Sequence, residues 1–180
     1  MKVLFLAKEG VDLYQTLLSS ETSRHVLRFY HPKKLPCGIS VNVASLGSAL
    51  SLAGEMKWYR QRYMREMLFS LSPGSYATLA LGREVYYERE ATLEGEWGFR
   101  KLYGFRDGKL LSIIAMDPGI PLQEYHGHTP GMVDTLIEVW CMPEEMEGGP
   151  AEEPAEADSG PETGGTQEPE NEPPEHPGTG

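Results

Sequence analysis

The placement of charge constrains this chain more than any motif does. Twelve of its 27 Asp and Glu residues lie after Met142, and none of its sixteen Lys and Arg residues does. The net charge of −11 and the pI near 4.9 therefore belong to the end of the chain. Residues 1–142 set fifteen acids against sixteen bases, a net charge of +1. Whole-chain acidity is thus no reason to exclude a polyanionic partner for the body.

Residues 143–180 are rich in Glu, Pro, Gly, Thr and Ala, and Met146 is their one large apolar residue. Such a segment cannot bury enough apolar surface to offset the entropy of ordering it. It is predicted to be a disordered acidic tail. Residues 1–142 suffice for one globular domain with a single core and are too few for two. The apolar run Val3–Ala7 is too short for the core of a signal peptide. No stretch approaches the roughly 18 apolar residues of a membrane span. A soluble intracellular protein, of cytoplasm or nucleus, is the expectation.

The body reads as an α+β domain. Residues 1–7, 24–30 and 39–43 are predicted strands, and Asp12 is the predicted cap of a short helix holding Leu13 and Leu17. One long amphipathic helix is predicted over about residues 47–70, with a break near Gly54. From Met56 the large residues Tyr59, Tyr63, Met64, Met67 and Leu68 recur with helical spacing. Residues 76–81, 83–93, 96–105, 109–115 and 132–142 are predicted strands, and Asp107-Gly108 is the strongest hairpin signal. The short connections predict an antiparallel sheet of five to seven strands, a meander in its second half, with the long helix packed across it. The predicted core is Val3, Phe5, Leu17, Leu27, Phe29, Val41, Val43, Tyr59, Tyr63, Met67, Leu79, Val85, Phe99, Tyr103, Leu111, Ile113, Val139 and Trp140.

Three sets of residues suggest chemistry. The first is Lys57, Trp58, Arg60, Arg62 and Arg65, on the polar face of the predicted helix. Cations position phosphates and aromatic faces stack on bases, so this is a candidate RNA-binding strip, extended by Arg24, Arg28, Lys33 and Lys34. The second is His126-Gly-His128, two imidazoles that on a strand would share a face. They are candidate ligands for a divalent metal, with Asp117, Glu124 or Asp134 as a third, and with Asp117 a candidate catalytic group of a small hydrolase. The third is the thiol pair, Cys37 and Cys141, expected to be small buried hydrophobes, with nucleophilic catalysis by Cys37 as the alternative. Phosphate-binding glycine motifs are absent.

No constellation here specifies a reaction. The expectation is a non-enzymatic interaction or regulatory protein without a cofactor. Its body binds a macromolecular partner, most simply a protein, and its acidic tail tunes solubility or competes for a basic site. An RNA-binding regulator and a metal-dependent hydrolase are the alternatives.

Overall fold

The computed structural model describes residues 1–88, 97–125 and 133–147. Its frame is a mixed, mostly antiparallel sheet of eight strands: β1 (Lys2–Ala7), β2 (Lys33–Leu35), β3 (Gly38–Asn42), β4 (Met64–Ser72), β5 (Ser75–Thr78), β6 (Arg100–Arg106), β7 (Lys109–Ala115) and β8 (Thr135–Trp140). They lie in the order β2-β3-β1-β4-β5-β8-β6-β7. The helices are α1 (Leu13–Ser19), α2 (Glu21–Leu27), α3 (Leu46–Glu55), α4 (Lys57–Tyr63), α5 (Leu79–Arg83), α6 (Leu122–Tyr125) and α7 (Pro143–Glu147), with a π-helical turn over Glu84–Glu88.

Two predicted features hold in detail. The Gln15 amide donates to Asp12 Oδ1 at 3.0 Å, capping α1. The tip between β6 and β7 is Asp107-Gly108, with φ of 49° and 72°, the left-handed pair that a type I′ turn needs.

The single long helix is not there. Met56 interrupts it between α3 and α4, and α4 runs straight into β4 at Met64. β4 pairs with β1 on one side and β5 on the other. Met67 and Phe69 pack under the helices, and Leu68 fills the opposite face. A strand buried on both faces carries a nearly continuous apolar run, and over a short window such a run also satisfies the helical period. The reverse correction applies to residues 24–30. Ser23 and Leu27 are buried while Arg24, His25 and Arg28 are exposed, which is the one-sided pattern of a helix; α2 runs through Leu27 and a turn follows over residues 28–30. Residues 79–83, expected as the end of one strand and the start of the next, form α5, capped by Thr78 Oγ1, which accepts from the Leu81 amide at 3.2 Å.

The expected meander is also corrected. The β6–β7 hairpin forms, but β8 lies between β5 and β6, parallel to β5 and antiparallel to β6. The acidic segment begins with structure as well, since Pro143–Glu147 is helical and Glu145 is buried.

Helices α1 to α4 cover one face of β1, β3 and β4 around Phe5, Leu17, Leu27, Leu52, Met56 and Phe69. The other face gathers Leu4, Leu6 and Leu68 with Tyr103, Phe105, Ile137 and Val139. β1 and β6 stand four places apart in the strand order, about 19 Å in a flat sheet. One shared cluster requires the sheet to curl, and the hairpin tips confirm the curl. A Cβ on Gly108 would overlap Pro36, in the two-residue turn between β2 and β3. On the outer side of β6 and β8, Leu102, Leu136 and Met116 are covered by Leu122, Tyr125 and Val133.

Three predicted core residues face solvent: Phe29, Phe99 and Leu111. Tyr63, Val85, Ile113 and Trp140 are partly buried, and the other predicted core residues are buried.

Candidate functional site

Inside the curl lies a polar network that connects distant parts of the chain. Glu66 projects from β4 and Tyr103 from β6, and the Tyr103 hydroxyl donates to Glu66 Oε2 at 2.6 Å. Burial pushes the Glu66 carboxyl up to about 7, against the Tyr103 hydrogen bond; nearby Glu145 raises it further, while Lys101 and Arg65 act the other way. Burial also holds the Tyr103 phenol well above its ordinary range, with the Glu66 charge adding to the effect. Lys101 Nζ donates to the Glu145 carbonyl. Glu145 Oε2 accepts from Thr78 Oγ1 at 2.8 Å and from the Met142 amide at 2.7 Å. Tyr103, Lys101, Thr78 and Glu145 are each less than a tenth exposed and Glu66 is partly buried, so the network holds α7 and the curl together.

The thiols lie at the margins of this interior. Both are free, Cys141 buried and Cys37 partly so. Burial pushes Cys141 up to about 12 and raises Cys37 as well. Neither environment produces the thiolate that nucleophilic attack requires.

The expected metal site is divided by the limits of the described residues. His126 and His128 lie outside them. Asp117 is exposed beyond β7; its amide donates to Tyr125 Oη at 2.8 Å, and its carbonyl accepts from Arg100 Nη2 at 3.1 Å. Asp134 Oδ2 accepts from the Asp107 amide at 2.5 Å, tying the β6–β7 turn to the start of β8. Among the described residues no group of three or more His, Cys, Asp and Glu is placed to hold a metal ion.

The five residues of the basic strip do not share one helix face. Lys57, Trp58, Arg60 and Arg62 are on α4, and Arg65 is the second residue of β4. Lys57, Arg62 and Arg65 are exposed, while Arg60 is partly buried with its Nε enclosed. Trp58 is 44% exposed. The Arg62 guanidinium lies 4.5 Å from the Trp58 ring centroid, a cation–aromatic stack. Tyr59 and Tyr63 meet Trp58 edge-on, with centroids 4.9 and 5.9 Å away. Burial of Tyr59 in the helical core fixes one side of this aromatic group, so Trp58 is presented outward.

A simple count shows how dense in bases the strip and its extension are. Residues 22–65 hold eight of the sixteen Lys and Arg and a single acid, Glu55. Much of that stretch is α2, α3 and α4, the layer over β1, β3 and β4. Half of the chain's positive charge is thus concentrated in one quarter of its length. The concentration is legible without a structure, as a run of 33 residues, Thr22 to Gly54, without an acid.

This chain belongs to the DUF5804 family, described as a family of unknown function, whose model matches residues 1–101. The match spans β1 through α5 and includes the whole basic stretch and Glu66; Tyr103 and Glu145 lie beyond it. No curated protein and no solved structure matches the chain. Among the described residues no helix is long and apolar enough to cross a membrane.

Proposed function

We propose that this protein is a non-enzymatic binding and regulatory module whose helical layer takes single-stranded nucleic acid. The observation that carries the reading is Trp58, an exposed indole stacked by Arg62 at 4.5 Å within a stretch of eight bases and one acid. Single strands are bound by cations that follow the phosphates and by rings on which bases stack. Duplex grooves are read by other geometries, and α4, at seven residues, is short for a recognition helix.

Fluorescence anisotropy with labelled oligouridylate and oligothymidylate, on the full chain at low salt, tests the reading. Binding should weaken steeply with salt. Trp58→Ala should weaken it by about 1–3 kcal/mol, the worth of one base stack. Arg62→Glu with Arg65→Glu should reduce the slope of log K against log salt by about 0.7 for each phosphate no longer neutralised. A chain that binds neither oligonucleotide at low salt would remove the proposal. The two strands separate RNA from DNA as the preferred source.

A further inference from the structure

Among the described large apolar residues Phe29 is the most exposed, at 72%. A lone exposed ring is ordinary, but this one repeats the arrangement at Trp58. The Arg28 guanidinium lies 4.3 Å from the Phe29 ring centroid. The two pairs belong to the same helical layer and are joined through it. Ser20, at the start of α2, shares a hydrogen bond of 2.5 Å with Tyr59, and Tyr59 abuts Trp58. Phe29 follows the far end of α2, two residues past Leu27. Adding the helical rise from Ser20 to Phe29 to those contacts places the two rings no more than roughly 30 Å apart. Arg24 and His25 are exposed on the helix between them. The one acid on α2 is Glu21 in its first turn, and none follows before Glu55, so nothing from Arg24 to Phe29 opposes an anionic backbone laid along that part of the helix.

We infer that Phe29 and Arg28 form a second stacking station, and that a single strand runs along α2 from Trp58 to Phe29, with Arg24 on the phosphates between. This rests on the reading of Trp58 given above and extends it to a length: a strand of about ten nucleotides spans both stations, within the range of about 4–16 that single-strand grooves take. Two stations joined by one strand bind as linked modules, so affinity should rise with length until both are occupied.

The test compares full-length protein binding an oligouridylate of about four nucleotides with one of about twelve. In the native chain the longer strand binds more tightly. Phe29→Ala should remove about fivefold or more of that gain, the worth of one stack, and leave the shorter strand unaffected. Phe29→Trp should restore it. Trp58→Ala should weaken both strands. The ring of Phe29 stands outside the core, so its removal does not threaten folding. If Phe29→Ala leaves the longer strand unchanged while Trp58→Ala weakens it, the second station is wrong and the first stands. Equal weakening of both strands by Phe29→Ala would overturn the two-station path in favour of one merged site. If neither substitution alters binding, both readings fail.

Discussion

The hydroxyl of Tyr103 donates to the carboxylate of Glu66 at 2.6 Å, although their strands stand three places apart, about 14 Å in a flat sheet. One residue lies inside the family match and the other just beyond it. The hydrogen bond therefore joins the segment shared by the family to the β6–β8 part of this chain. Tyr103→Phe should leave a partly buried carboxylate oxygen without its donor and cost about 1 kcal/mol in urea unfolding.

The same carboxyl should give stability a pH dependence. Glu66 is raised from 4.5 to about 7 in the folded protein, so between those values the fold holds a proton that the unfolded chain releases. The contribution is complete below about pH 4.5 and is lost as pH rises through about 7, by at most about 3 kcal/mol. Glu66→Gln keeps an acceptor for Tyr103 and does not titrate. Its unfolding free energy should fall less than the native protein's between pH 5 and pH 8, and parallel curves would show that Glu66 is not the group responsible.

Arg100 and Glu138 form an ion pair at 3.1 Å with side chains 11% and 9% exposed. The same Glu138 oxygen accepts from Trp140 Nε1 at 2.7 Å. Glu138→Ala should strand both donors and destabilise by about 3–5 kcal/mol, with a visible change in tryptophan emission. A loss below 1 kcal/mol would mean that water reaches the pair.

The acidic segment should be separable into an anchor and a competitor. Removing residues 148–180 leaves α7 in place, and the midpoint of urea unfolding should hold. Removing residues 143–180 takes away the partners of Thr78 and Lys101 supplied by Glu145, and the midpoint should drop. The shorter deletion should also strengthen oligonucleotide binding at low salt, and the gain should fade towards 0.15 M as the Debye length falls to about 8 Å. Unchanged binding would dismiss the tail as a competitor for the basic face.

Gly108 combines a φ of 72° with the position where a Cβ would overlap Pro36. Gly108→Ala should cost about 1–3 kcal/mol through backbone strain and overpacking together. Circular dichroism during thermal unfolding would register it, and an unshifted midpoint would mean that the two hairpin tips are not firmly packed together.

What could be read from residue order alone was what neighbours in the chain decide. Asp12 caps α1 because its carboxylate reaches an amide three residues on. Asp107 and Gly108 turn the chain because of their own backbone preferences. The basic stretch is equally legible, since charge counting needs no fold. The misreadings were of elements whose identity is settled elsewhere. Met64–Ser72 is a strand because β1 and β5 flank it, and its apolar run fits a helix equally well until those neighbours are known. Residues 24–30 carry the β-branched and aromatic residues of a strand, yet Leu17, Leu27 and Tyr59 pack as a helical layer.

Sequence by itself determined the segregation of charge, the local caps and turns, and the mixed α+β character, because each depends on composition or on interactions within a few residues. Only the tertiary structure decided that the sheet curls, that Glu66 meets Tyr103 inside it, and that Phe29 faces solvent at the end of the helix tied to Trp58's neighbour. Those relations join residues tens of positions apart, and their energy comes from burial and hydrogen bonding that exist only once the strands have been brought together.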